Sequence, residues 1–134
     1  MSELGWERYT PHALVATIVF EYMHIADELA GNWAPFEPFN DPMVATFMMG
    51  GFTFFALWAL WWVLRDNPWG YGLAALFGLF FLLAEMWHWV APVPMTTFQW
   101  SIVILAQASA ATVVILGTIG LRKHRPWTSA STDG

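Results

Sequence analysis

The stretch from residue 98 to residue 121, FQWSIVILAQASAATVVILGTIGL, contains no charged residue. A helix needs about 20 mostly apolar residues to cross roughly 30 Å of hydrocarbon. Three earlier apolar segments have a similar length: residues 12–30, 43–64 and 69–90. Turn-forming prolines, glycines and asparagines separate the four segments. The sequence therefore predicts an all-α chain, an integral membrane four-helix bundle with up-down topology.

The composition also favours a membrane protein over a soluble one. Of the 134 residues, 57% are hydrophobic and 11% are charged, whereas soluble domains carry about 25% charged residues. The absence of cysteine excludes disulfides, thiolate metal sites and a cysteine nucleophile. The formal charge of −5, without a basic stripe, argues against nucleic acid as a partner. The lipid bilayer is the partner that this composition predicts.

The basic residues predict the orientation. All five lie at one end of the predicted bundle: Arg8, Arg65, Arg122, Lys123 and Arg125. By the positive-inside rule we expect a multi-pass protein of the cell membrane with both termini cytoplasmic. The loops around residues 35 and 92 then face outward. Residues 1–122 form the predicted transmembrane domain, and residues 123–134 a polar cytoplasmic tail. The acidic start is unlike a signal peptide, so the first apolar segment is expected to be retained.

Two short motifs share one pattern, Glu-x-x-His. Glu21 and His24 lie in the first span, and Glu85 and His88 lie in the third. A helix turns about 100° per residue, so each pair shares a face, and Glu28 joins the first pair. Spans one and three run in the same direction, which places both motifs near the outer face. Ionisable groups inside a membrane span are costly and usually functional. The five residues are the candidate site.

The residue types predict a bound metal or haem. Glu and His at i and i+3 is the pattern of di-iron and di-manganese carboxylate bundles. Spans two and four carry no acid, so that pattern is incomplete here. Iron is the favoured ion, and copper or zinc are alternatives. Copper is also indicated by six methionines near the outer half: Met23, Met43, Met48, Met49, Met86 and Met95. In a haem reading, His24 and His88 are the axial ligands.

Several functions fit these residues. The leading hypothesis is a metal- or haem-binding membrane protein with a redox role. A second is a non-catalytic accessory subunit that packs against other membrane subunits or against a second copy as a homodimer. A third is a small ion or proton transport unit in which the same Glu and His residues titrate. A plain alternative to all of these is a polar cluster in which Glu and His hydrogen-bond each other.

The two halves of the chain resemble a tandem repeat of two helical hairpins. The first helix of each half ends with Glu-x-x-His, and the second ends with Leu-Arg, at residues 64–65 and 121–122. Pro-Met and Thr-Phe pairs introduce both second helices. A parallel repeat has a pseudo-twofold axis along the membrane normal. Such an axis would bring the two motifs face to face.

Overall fold

The computed structural model describes residues 5–31, 40–90 and 94–125. A 3-10 turn, Trp6–Tyr9, leads into α1 (Thr10–Gly31). The other helices are α2 (Pro42–Val63), α3 (Pro68–Glu85), α4 (Trp87–Val90) and α5 (Thr97–Lys123). All regular elements in these ranges are helices, which confirms the all-α prediction. If α3 and α4 are taken together, each predicted span matches a helix to within two residues. The loop at residue 35, the turn at residue 92 and the tail from residue 126 lie outside the described ranges.

Local sequence signals fix where the helices begin. The Asp41 carboxylate accepts a hydrogen bond from the backbone N–H of Met43 at 2.8 Å, and Pro42 occupies the first turn. Asn67 caps α3 in the same way before Pro68. α5 begins with a reciprocal capping box between Thr96 and Gln99. Proline suits the first helical position because its missing N–H would lack a helical partner there anyway.

Helices α3 and α5 pack most closely, because small residues line their contact. A Cβ on Gly78 would come within 2.7 Å of the Ala110 carbonyl oxygen. A Cβ on Gly117 would come within 2.8 Å of the Tyr71 carbonyl oxygen. Small residues let helix backbones approach in a medium where the hydrophobic effect does not drive helix association. The α3–α5 contact therefore forms the tight side of the bundle.

Three of the four long helical stretches are long and apolar enough to cross a membrane: Pro42–Val63, Pro68–Val90 and Thr97–Lys123. Helix α1 is not among them; its sequence includes the acidic residues Glu21, Asp27 and Glu28 as well as two histidines and a proline. It still has 22 residues, enough for about 33 Å of helix at 1.5 Å per residue. The crossing by α1, the up-down order, the tandem repeat and the insertion into a bilayer stay predictions.

The third span contains a break beside the candidate site. α3 ends at Glu85, and α4 begins at Trp87. Across the break, Met86 donates its N–H to the Leu83 carbonyl, and Trp89 donates to the Met86 carbonyl, both at 3.2 Å. These hydrogen bonds join residues i and i−3, as in a 3-10 turn, whereas those of an α-helix join residues i and i−4. The sequence predicted one uninterrupted helix here, and the structure places a tightened turn between Glu85 and His88.

Candidate functional site

The five candidate residues come together between α1 and the break that follows α3. All are buried despite being ionisable: Glu21, His24, Glu28, Glu85 and His88. Their burial follows from helical spacing, since residues 21, 24 and 28 lie on the inner face of α1. Each of the five also lines the same small cavity of about 100 Å³. The sequence leaves open whether the two motifs meet within one chain or across a homodimer, and in the structure they meet within one chain.

The two histidines meet through the same ring atom. The Nε2 atoms of His24 and His88 are 2.9 Å apart. The rings are nearly perpendicular, with an interplanar angle of 88° and centroids 4.7 Å apart. One imidazole can donate an Nε2 hydrogen to the other only if the two rings adopt different tautomers or charges. The same approach also suits two nitrogens that share one cation.

Two carboxylates approach those nitrogens. Glu28 Oε1 lies 3.2 Å from His24 Nε2 and 3.6 Å from His88 Nε2. Glu85 places Oε1 3.6 Å from His24 Nε2 and Oε2 3.7 Å from His88 Nε2. Both glutamates thus reach both imidazoles. The potential metal-ligand atoms of His24, Glu85 and His88 all lie within 4.8 Å of one another, close enough to hold one metal ion.

Several carboxylate oxygens of the cluster have no hydrogen-bond partner among the described residues. They are Glu21 Oε1, Glu28 Oε1 and Glu85 Oε2. A buried polar atom without a partner costs free energy. A buried carboxylate costs considerably more unless it is paired, protonated or bound to a cation. Binding a proton or a metal ion would therefore lower the free energy of these buried carboxylates.

The cavity also has an apolar wall that the motifs did not reveal. It consists of Ile25, Phe52, Phe80, Phe81 and Ala84. Phe81 lies one helical turn before Glu85 on the same face, so spacing alone indicates it. Phe52 comes from α2, and only the packing of α2 against α3 brings it to the site.

Asp27 and the methionines proposed as copper ligands lie outside the cluster. The Asp27 carboxylate accepts a hydrogen bond from the Gln99 side-chain amide at 2.9 Å, which links α1 to α5. None of the described methionines lines the cavity. Met43 is 81% exposed, and Met86 is about half exposed. The structure therefore does not bring thioether ligands to the imidazoles.

Comparisons with known proteins leave the site to be interpreted from its own chemistry. No protein-family model, no curated protein and no solved structure matches this chain. The contacts among the buried Glu and His side chains are therefore the basis of the functional proposal.

Proposed function

We propose that this chain is a membrane protein that binds one transition-metal ion, iron, through His24, Glu85 and His88. Glu28 lies close enough to serve as a further oxygen ligand. The observation that carries the proposal is the convergence of two imidazole nitrogens and a carboxylate in a buried position. The proposed role is redox chemistry within the membrane.

The imidazole nitrogens carry too few hydrogens to satisfy all of the atoms around them, which supports a bound cation over a cluster held only by hydrogen bonds. His24 Nε2 lies within 3.6 Å of three potential ligand atoms, on His88, Glu28 and Glu85. An imidazole nitrogen carries at most one hydrogen, so it can donate to one of them. A metal ion attracts all of these atoms at once. Such an ion would also neutralise the buried carboxylates, three oxygens of which accept no hydrogen bond among the described residues.

The distances support a single ion. With metal–ligand bonds of about 2.1 Å, adjacent ligand atoms are separated by about 3.0–3.4 Å. The observed separations around the two Nε2 atoms run from 2.9 to 3.7 Å. Two axial haem ligands stand on opposite sides of the iron, about 4 Å apart. Small-molecule pockets are typically about 300–1,000 Å³, and this cavity has about 100 Å³. A lone ion therefore fits this geometry better than haem.

The ligand types favour iron. Two histidines and one carboxylate with open positions form the ligand set of non-haem Fe(II) oxygenases. Zinc also uses two histidines and a glutamate in catalytic sites, so zinc is the main competitor. Copper(I) prefers thioether ligands, and no described methionine reaches the cavity.

Elemental analysis of detergent-purified protein, together with its visible spectrum, tests the proposal. We expect about one iron per chain. In the His24→Ala/His88→Ala variant the affinity for iron should fall by more than about 100-fold, the upper end of the loss caused by outer-shell changes. His12→Ala is the matched control, because His12 is exposed at the opposite end of α1. Its metal content should equal that of the wild type.

Two outcomes would contradict the proposal in different ways. Stoichiometric zinc would keep the site and replace the redox role with Lewis-acid chemistry. A protein that holds no metal, even after exposure to Fe²⁺ without oxygen, would overturn the metal site. The accessory-subunit and proton-transport hypotheses would then account for the cluster.

A further inference from the structure

The cavity beside the cluster has two chemically different walls. One wall is polar and consists of the five Glu and His residues. The other wall contains only apolar residues, from α1, α2 and α3: Ile25, Phe52, Phe80, Phe81 and Ala84. Phe80 is 50% exposed, and Ala84 is exposed as well. The apolar wall therefore belongs also to the outer surface of the bundle.

A second hollow continues from this wall along the surface between α2 and α3. This hollow, the aromatic groove, has a volume of about 400 Å³ and is lined by Gly51, Phe52, Phe55, Leu76, Phe77 and Phe80. It shares Phe52 and Phe80 with the cavity. The shared rings lie 5.1 Å apart, centroid to centroid. The aromatic groove and the cavity are therefore adjacent, and a path from one to the other runs past the packed Phe52 and Phe80 rings.

The surroundings of the path indicate what enters it. Both α2 and Pro68–Val90 are apolar enough to cross a membrane. In a bilayer, the solvent along the aromatic groove is then hydrocarbon. The described side chains on the path carry no polar group until the path reaches the Glu and His residues. A hydrated ion or sugar would lose its water along this route without compensation.

We propose that the ligand of the metal centre is an amphiphile dissolved in the bilayer, with an oxygen-bearing head and an apolar body. The head reaches the cluster, and the body lies in the aromatic groove. This inference rests on the proposed metal site. Three protein ligands leave coordination positions open, and a carboxylate or hydroxyl oxygen fills such a position on iron. Phenylalanine faces and edges pack well against a flat ring or an extended chain.

Gly51 gives a clean way to close the aromatic groove. A Cβ at Gly51 meets no atom within 4 Å, so a substitution there meets no steric clash at its first side-chain atom. Gly50 is its matched control. It is also helical, exposed and free of nearby atoms, but it does not line the aromatic groove. Gly51→Trp fills the path, whereas Gly50→Trp adds the same side chain beside it.

The experiment loads the full chain with Co²⁺ in phospholipid nanodiscs, because the visible bands of Co²⁺ respond to a new ligand. Cobalt content is measured first for the wild type and both variants. Decanoate, acetate and tetramethylhydroquinone are then titrated separately. Decanoate and acetate share a head group, so they differ only in the apolar body. Tetramethylhydroquinone replaces the chain with a ring.

We expect decanoate or the hydroquinone to shift the cobalt bands of the wild type and Gly50→Trp. The probe that binds more tightly indicates whether the apolar body of the natural ligand is a chain or a ring. Gly51→Trp should weaken this binding by about tenfold or more, the effect of a filled pocket. Acetate at equal concentration should cause no shift.

Four results would overturn the inference. If cobalt binds but neither amphiphile shifts its bands, or if the two tryptophan variants behave alike, the aromatic groove is not the route. An acetate response equal to that of decanoate would mean a water-soluble ligand. In these cases the metal site stands. A wild type that binds no cobalt would remove the metal site as well, and with it the proposed function.

Discussion

Glu7 is a buried acid at the opposite end of the bundle from the metal-site candidates. It lies in the 3-10 turn, with 8% of its surface exposed. The Lys123 ammonium at the end of α5 donates a hydrogen bond to its carboxylate. This hydrogen bond holds the pKa of Glu7 below its usual value, against the opposing effect of burial. The pair ties the start of the described chain to its last helix.

The Glu7–Lys123 pair predicts a pH-dependent stability. Because the folded-state pKa is lowered, the folded chain binds fewer protons than the unfolded chain. The stabilisation is complete above the ordinary pKa of 4.5 and is lost as pH falls through the folded-state value. Lys123 is 46% exposed on its side chain, so we expect Glu7→Gln to cost at most about 1 kcal/mol at pH 7.

Thermal unfolding in detergent between pH 3 and pH 7 measures this effect. The difference between wild type and Glu7→Gln should shrink towards zero at the acidic end. Lys123→Met should behave like Glu7→Gln. Arg122→Met is the control, since it removes the neighbouring positive charge but leaves the pair intact. A difference that stays constant over the whole pH range would contradict the assignment.

For individual residues, the sequence predicts the polar part of the candidate site and misses the apolar part. Helical spacing is local, so Glu21, His24 and Glu28 can be assigned to one face without a structure. Which atoms of the two histidines meet depends on how α1 approaches α3, and no local pattern encodes that approach. The contribution of Phe52 depends on tertiary packing in the same way.

Among the elements, the helix boundaries were predictable because their signals are local. Asp41 and Asn67 each precede a proline and cap the helix that follows. The break at Met86 carries no glycine or proline to mark it. The break lies in the segment that places Glu85 and His88 against α1. Because it depends on this tertiary packing, no residue pattern near Met86 predicts it.

The close contact of α3 with α5 predicts unequal effects of two similar substitutions. Gly78→Ala would place a methyl group within 2.7 Å of the Ala110 carbonyl oxygen. We expect it to destabilise the chain by about 1–3 kcal/mol. Gly72→Ala lies in the same helix, and its Cβ would only reach ordinary contact with Leu121 at 3.8 Å. The second change should be neutral or stabilising by up to about 1 kcal/mol, because alanine favours helix.

Circular dichroism in detergent, followed during heating, compares the two alanine variants. The melting temperature of Gly78→Ala should fall clearly below that of the wild type. The melting temperature of Gly72→Ala should stay equal or rise. Equal melting temperatures for both variants would mean that α3 and α5 pack less tightly than described here.

For the whole molecule, the distribution of charge predicts a fixed orientation. The described basic residues Arg8, Arg65, Arg122, Lys123 and Arg125 lie in or beside the elements at one end of the bundle. The candidate site lies towards the other end. We expect the basic end to face the cytoplasm, since basic residues are retained on that side during insertion.

The absence of cysteine makes this orientation easy to measure. Two single-cysteine variants, Pro94→Cys and Ser131→Cys, place a thiol at the predicted outer end and in the predicted cytoplasmic tail. A membrane-impermeant maleimide should label Pro94→Cys in intact cells. It should label Ser131→Cys only after permeabilisation. The reverse pattern would invert the predicted topology, and the cysteine-free wild type provides the background.

The contrast between the two ends of the bundle has a consequence for the lifetime of the protein in a cell. The basic end is held by bonds the chain makes with itself, such as Glu7 with Lys123 and the stacked rings of Tyr71 and His124. The other end also has internal contacts, such as His24 with His88 and Asp27 with Gln99, but it gathers three buried carboxylates whose negative charges would repel one another. An ion bound there at a hundred times its dissociation constant adds about 2.7 kcal/mol of stability. If the proposed metal site is correct, copies without an ion would lack this stability and would be degraded sooner, so metal supply would influence the abundance of the protein.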